Sequence, residues 1–323
     1  MSVDLHVTEA GPEAAADVVA VVHAAFGARP HLDPPSTALH ESERSVAQAL
    51  AEHGGLLVTV DGRPAGALLF EPGEDSMRLR RVSVDPAQQQ RGVASALVGC
   101  AEEVAAARGY PAVSLSARAE LPATQRFWLR RGYVETARNG VLLTYAKALP
   151  VEADVPTADR MRAFGTGLAS LLRAGDLLLL SGDLGAGKTT LTQGIGAGLG
   201  VRGDVTSPTF VIARAHPSTV GGPPLVHADA YRLAGFEELD DLDLDTALDE
   251  AVTVVEWGEG MAEPLAGDRL EIVVRRRRGT SADAVGPDAD DTRHVRVHPV
   301  GRRWIGVDLR AALTGGLLRA ATP

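Results

Sequence analysis

The stretch that most restricts the fold is residues 177–190, LLLLSGDLGAGKTT. Leu177 to Leu180 form a short unbroken apolar run, as expected of a strand buried on both faces of a parallel sheet. The run leads directly into G-x-x-x-x-G-K-T and then into a helical pattern. Each part of that motif has a physical task. The glycines permit a compact loop whose backbone N–H groups face phosphate oxygens. Lys188 reaches the β- and γ-phosphates as a point charge, and the Thr189 hydroxyl suits Mg²⁺. An α/β sheet that binds ATP with Mg²⁺ is therefore expected in this half of the chain.

At 323 residues the chain has length for two domains. The joint falls at KALPVEADVPTADR, which gives domains 1–149 and 150–323. Pro150 and Pro156 break regular structure, and the mainly small or polar residues between them read as a linker. A helix is expected from Thr157, with Met161, Phe164, Leu168, Leu171 and Leu172 at helical spacing. Aromatic residues make up only 4%, so both cores must rest on Ala, Val and Leu. The single cysteine, Cys100, excludes an intramolecular disulfide and any zinc site built on several cysteines. It reads as a small buried hydrophobe. No apolar run approaches the roughly 18 residues that span a bilayer, and the first residues show no basic segment leading an apolar one. No membrane association and a cytoplasmic location are expected. The net charge of −10 argues against a sequence-independent nucleic-acid binder, and no DNA partner is expected.

In the first half the pattern predicts helices over Pro12–Phe26 and Ser42–His53. Strands follow at Gly55–Val60 and Ala65–Glu71, joined by an Asp61-Gly62-Arg63 hairpin turn. Next come a strand at Met77–Val84, a helix at Val93–Arg108, a strand at Ala112–Ser116, a helix at Thr124–Arg131 and a last strand near residues 142–147. The strand ending at Val84 turns at Asp85-Pro86 into a glutamine-rich loop. Gln89 to Ala94 then form Q-x-x-G-x-A at a helix start, where free N–H groups and the positive end of the helix dipole can hold a pyrophosphate.

These features resemble the GNAT acetyltransferase family over about residues 5–147. A second family element, an aromatic pair before Gly-aromatic, stands as Phe127-Trp128 and Gly132-Tyr133. The resemblance implies a mixed sheet with helices that binds acetyl-CoA. Gln90, Arg91, Gly92, Val93, Ala94 and Ser95 would cradle the pyrophosphate, and the backbone at Val82 and Val84 would hold the acetyl and pantetheine arm. The sequence departs from the pattern at three places. Trp128 stands where many members place a proton-donating Tyr, Leu121 where an Asn is frequent, and Ser116 where the ribosomal-protein acetyltransferases carry a Glu. That subfamily is disfavoured, and a degenerate module stays open. Glu71 is either a base acting through water or a solvated strand-end charge. Tyr133 reads as core.

In the second half three further blocks follow the phosphate loop: VTSPTF at 205–210, HADAYRL at 227–233 and TVVEWGE at 253–259. A strand that ends in an acid, as at Glu256, can hold Mg²⁺, its waters or the attacking water. In this order the blocks resemble the TsaE family, the small ATPase of threonylcarbamoyladenosine synthesis in bacterial tRNA, over about residues 155–312. The resemblance implies a P-loop NTPase-like α/β sheet in which Gly185, Ala186, Gly187, Lys188, Thr189 and Thr190 bind the phosphates. It makes Thr189 and Glu256 the Mg²⁺ ligands, with Asp229 close by, and Lys188, Asp229 and Glu256 the catalytic set. Ser207-Pro208-Thr209 looks like a switch loop, and Trp257 like a positioning or partner residue. Thr157 either approaches the base or simply caps its helix. Partners would be threonylcarbamoyltransferase proteins of the TsaB and TsaD type, with tRNA contact through that complex.

Charge is uneven here. Glu237 to Glu250 are rich in acids, Arg275 to Arg278 and Arg302-Arg303 are basic, and Ser281 to Thr292 read as an acidic loop between two strands. Basic runs are solvated faces or contacts to tRNA phosphate. Two other functions fit the phosphate loop: a small-molecule kinase, and a nucleotide-gated binding module with negligible turnover.

Overall fold

A computed structural model describes residues 4–208, 212–233, 235–240, 248–276 and 292–313. The chain divides into two compact units, Met1–Leu149 and Pro150–Pro323. Among the described residues both are α/β, each with one seven-stranded mixed sheet. No helix among the described residues is long and apolar enough to cross a membrane.

The first unit runs β1 (Leu5–Ala10), α1 (Ala15–Gly27), α2 (Glu43–His53), β2 (Gly55–Val60), β3 (Arg63–Pro72), β4 (Met77–Val84), α3 (Val93–Ala107), β5 (Ala112–Arg118), α4 (Pro122–Arg130), β6 (Val134–Asn139) and β7 (Leu142–Ala148). The sheet order is β1-β2-β3-β4-β5-β7-β6. Strand residues alternate between two cores, as the two-residue period of a strand requires. Leu56, Val58, Leu68 and Phe70 pack with Leu97 and Val98 of α3. Leu57, Ala67 and Leu69 pack with Val18, Val22 and Val46 of α1 and α2. Asp61 (φ 51°) and Gly62 (φ 74°) make the expected hairpin turn between β2 and β3. Two strands go beyond the expectation. β1 and β6 each cover an edge of the sheet, and β6 forms a hairpin with β7 where one closing strand was expected.

β4 and β5 are parallel neighbours that pair only at Met77↔Val113 and Arg78↔Ser114. On the other side of β4 the register to β3 slips between Ala67 and Leu69, opposite Arg81 at φ 53°. Such a bulge twists a strand and takes one residue out of the ladder.

The second unit runs β8 (Val151–Val155), α5 (Ala158–Ala169), β9 (Leu177–Ser181), α6 (Lys188–Leu199), β10 (Ala213–His216), β11 (Leu225–Asp229), α7 (Phe236–Asp240), β12 (Val252–Glu256), β13 (Arg269–Arg276) and β14 (Arg293–Val300). The order is β10-β11-β12-β9-β13-β14-β8. The four middle strands are parallel and the outer pairings antiparallel. Leu177 to Leu180 are buried throughout, as a central strand flanked on both faces must be.

Two expectations need correction here. Residues 151–155 are no linker: they form the edge strand β8. Its acids sit opposite basic side chains of β14, Glu152 opposite Arg296 and Asp154 opposite His294, with side-chain contacts at 3.5 and 3.0 Å. Cross-strand pairs of this kind hold a strand that has little apolar surface. Arg303 is no surface cation available to tRNA. It binds both oxygens of the buried Asp176, at 3.1 and 3.2 Å, and the Leu171 carbonyl at 2.7 Å. The helix from Thr157 ends at Ala169, so Leu171 and Leu172 lie beyond it.

Candidate functional site

In the second unit the site lies at the carboxyl ends of the parallel strands, where open α/β sheets place ligands. The loop between β9 and α6 carries the phosphate motif. A side chain at Gly182 (φ 137°) would run into the Val274 carbonyl of β13, so only glycine fits there. Helix α6 opens on Gly187, and among the described residues no side chain caps its first turn. α5, by contrast, is capped by the Thr157 hydroxyl, which accepts from the Arg160 N–H at 3.2 Å. An uncapped N-terminus leaves the donors of Lys188, Thr189 and Thr190 for an anion. Gly185 and Ala186 complete the loop, and the Ala186 carbonyl accepts from Arg293 Nε of β14 at 2.9 Å.

Parallel pairing sets Asp229 opposite Glu256 and Glu256 opposite Leu180, so both acids end beside the loop. Glu256 is 3% exposed. It accepts from Thr189 Oγ1 at 2.9 and 3.2 Å and lies 3.0 Å from His227 Nε2. Asp229 accepts from Ser207 Oγ at 3.0 Å and from the Tyr231 N–H at 3.0 Å. It thereby ties the Ser207-Pro208 segment to the site; Thr209 and Phe210 lie outside the described residues, as do Arg277, Arg278 and residues 281–291. Lys188 is 4% exposed. Its ammonium donates to the carbonyls of Gly182 (2.8 Å) and Asp183 (3.1 Å) and lies 3.8 Å from the centre of the Trp257 ring. Burial pushes its pKa down, partly opposed by Glu256, Asp229 and Asp183. Trp257 adopts φ 61° and also contacts Tyr231, with ring centres 5.2 Å apart.

Among the described residues no three His, Cys, Asp or Glu side chains cluster as a metal cage. Thr189 and Glu256 instead offer one hydroxyl and one carboxylate in mutual contact. That small, hard-oxygen donor set suits Mg²⁺, which keeps waters and phosphate oxygens as its other ligands.

The sequence reading gave no role to His227, to Arg293 or to the stacking of Trp257 on Lys188. The H-x-D spacing of His227 and Asp229 carried a signal, since residues two apart on a strand share a face. Nothing local marked Arg293.

In the first unit the loop from Gln89 to Ser95 has the same design. Gln90 (φ 62°) and Gly92 (φ 83°) turn the chain, and α3 starts at Val93 with no capping side chain. The N–H groups of Val93, Ala94 and Ser95 open its first turn. Arg91 is held at the surface by Gln88 (2.6 Å) and Asp61 (3.2 Å). Val82 and Val84 end β4 beside the opening toward β5. Trp128 is buried against Phe127 and Tyr133. Tyr133 is core, as expected, and burial pushes its pKa well up. Glu71 pairs with Arg78 and Arg80, each at 3.5 Å. Cys100 is half-buried, and burial raises its pKa.

Fold and site together define a P-loop α/β protein joined to a second α/β unit. Residues 155–283 match the family model of threonylcarbamoyl adenosine biosynthesis protein TsaE, and residues 23–133 that of the acetyltransferase (GNAT) family. The tRNA threonylcarbamoyladenosine biosynthesis protein TsaE of Streptomyces coelicolor is 61% identical over 150 residues, 46% of this chain and 97% of the relative. That of Mycobacterium bovis is 48% identical over 131 residues, 38% of this chain and 78% of the relative. A solved structure, YdiB of Bacillus subtilis, is 31% identical, covering 54% of this chain and 97% of that one at a TM-score of 0.38. Through its second unit the chain belongs to the TsaE family, whose members serve threonylcarbamoyladenosine biosynthesis in tRNA. Both halves match families of enzymes.

Proposed function

We propose that the second unit binds ATP with Mg²⁺ and hydrolyses it to reset the complex that transfers threonylcarbamoyl to tRNA, with proteins of the TsaB and TsaD type as partners, in the cytoplasm. The observation that carries this reading is the Thr189–Glu256 contact beneath an uncapped helix start. The donors of Gly185 to Thr190 take the phosphate oxygens. An arriving phosphate competes with the Gly182 and Asp183 carbonyls for Lys188 and gains its charge. Bound Mg²⁺ would neutralise charge that develops on the phosphates. Thr189 and Glu256 would hold it, and His227 fixes the Glu256 carboxylate. Asp229 couples the site to the Ser207 segment, a natural lever for a partner. tRNA contact is made through the complex.

The first unit, in this reading, binds acetyl-CoA and transfers the acetyl group to an amine. Its pyrophosphate lies on Gln90 to Ser95, and the acetyl arm along Val82 and Val84.

The test is the threonylcarbamoyladenosine content of tRNA in cells depleted of the protein and supplied with one of two variants. Residues 150–323 alone should restore it. Glu256→Ala should bind nucleotide yet fail to restore it. Normal modification with Glu256→Ala would refute hydrolysis as the task of this site.

A further inference from the structure

Beyond Met77↔Val113 and Arg78↔Ser114, β4 and β5 are no longer paired, and a cavity of about 590 Å³ is lined by both strands there. That is the size of a small-molecule site. Its wall carries five guanidiniums, Arg29, Arg78, Arg80, Arg81 and Arg118, and one carboxylate, Glu71.

The five are not equally free. Arg118 is fixed by Glu120 at 2.6 Å and by the carbonyls of Asp33 and Pro34, both at 2.8 Å. Arg81 is fixed by Glu41 at 2.9 Å and by Thr37. These two brace the wall. Among the described residues Arg78 and Arg80 have no carboxylate closer than 3.5 Å, and Arg78 also donates to Ser116 Oγ at 2.9 Å. Arg29 makes no ion pair among the described residues; its guanidinium lies 3.6 Å from the centre of the Phe26 ring, and burial lowers its pKa. Two of these guanidiniums, Arg78 and Arg80, flank Glu71, and the third, Arg29, lines the same cavity. Guanidinium forks match the two oxygens of a carboxylate or phosphate. Glu71, shared at 3.5 Å, is the counter-charge left for an ammonium.

We infer that this cavity takes a small amine bearing an oxyanion, carboxylate or phosphate, as the acetyl acceptor. The anion would lie against Arg29, Arg78 and Arg80 and the amine toward Glu71. This rests on the acetyltransferase reading, since Val82 lines the same cavity. In the transfer, the amine nitrogen attacks the acetyl carbonyl carbon of acetyl-CoA. The N–C bond forms and the C–S bond breaks, its electron pair leaving on sulfur. Of the two protons that the ammonium loses, one goes to the thiolate and one to solvent.

The experiment measures free-thiol release by the full chain with acetyl-CoA. The carboxylate arm offers L-glutamate and L-aspartate, and the phosphate arm offers O-phosphoserine and glucosamine 6-phosphate. Glutamine, glucosamine, spermidine and a neutral peptide N-terminus are the comparisons. Anionic acceptors should be favoured by about tenfold or more, the factor one charge-assisted hydrogen bond carries. The more productive arm names the oxyanion. Arg80→Gln and Arg29→Gln should each raise the acceptor KM by a similar factor and leave acetyl-CoA affinity unchanged by calorimetry. Equal or faster turnover of the neutral, cationic or peptide acceptors would overturn the inference. If acetyl-CoA does not bind, the acetyltransferase reading fails. Calorimetry with glutamate and phosphoserine alone then decides whether an anion site exists, and no binding of either overturns it.

Discussion

Thr189 and Glu256 stand 67 positions apart in sequence, yet the hydroxyl of one donates to both carboxylate oxygens of the other at 2.9 and 3.2 Å. The contact joins the first turn of α6 to the end of β12. It holds together the two groups that would share an ion in the proposed function, so the cost of assembling them is met by the fold itself.

Removing that hydroxyl should separate ion binding from phosphate binding. Thr189→Ala should retain nucleotide in the absence of Mg²⁺ and lose the gain that Mg²⁺ confers. Lys188→Ala should weaken binding with or without it. Titration of a fluorescent ATP analogue, with and without Mg²⁺, distinguishes the two patterns. Identical curves for both variants would contradict the separate roles.

His227 is fully buried, and its Nε2 contacts Glu256. His227→Leu would leave that carboxylate one partner short in a dry site, at a cost of about 1–3 kcal/mol in stability. Hydrolysis should fall while nucleotide affinity stays near that of the wild type. Thermal denaturation and phosphate-release assays together check this. Unchanged turnover would show that Thr189 alone orients Glu256.

In the first unit Gly92 sits at φ 83°, with no described atom within 4 Å of where a Cβ would be. Gly92→Asp therefore strains the backbone without a clash and sets a negative charge at the α3 N-terminus. Acetyl-CoA affinity should drop at least about tenfold, and Gly92→Ala should lose less. Calorimetry of the two variants gives the comparison. Equal losses would point to backbone strain in place of charge.

Burial alone would raise the Glu41 carboxyl, but the Ser45 hydroxyl and the Arg81 and Arg80 guanidiniums outweigh it and hold its pKa below the usual carboxylate range. A carboxylate with a depressed folded-state pKa adds stability at pH values above its unfolded pKa. That contribution is lost as pH falls through the folded value. Glu41→Gln should thus be less stable than the wild type at neutral pH, and the difference should close in acid. Melting curves from pH 7 downward test it; a constant difference would assign the loss to packing.

Much of this site was legible because its signals are local. The apolar run of β9, the glycines and Lys188-Thr189 lie within fourteen residues of one another, so the strand, loop and helix start could be placed from the sequence. What escaped was assembled by distant pairing. The His227–Glu256 contact depends on β11 lying beside β12, and Arg293 reaches Ala186 only because β14 folds back to pair with β13. The edge strands escaped for a different reason. β1, β6 and β8 are partly exposed, and polar residues interrupt their apolar ones, so they lack the apolar runs that mark β2, β3 and β9. In β8 the flanking Pro150 and Pro156 further imitate a break.

The position of β8 decides where the chain can be divided. Leu149 is bound into the first sheet through the Pro111 carbonyl, and Val151 already pairs with Val297, so Pro150 alone lies between two sheets. A chain begun at Pro156 would keep every residue of the proposed nucleotide site but uncover the ladder groups of β14. An uncovered strand is a template for edge-to-edge association, and such a truncation should form soluble oligomers or precipitate. A chain begun at Pro150 keeps the edge closed. Along the chain, one residue separates the end of one unit from the first ladder pair of the next.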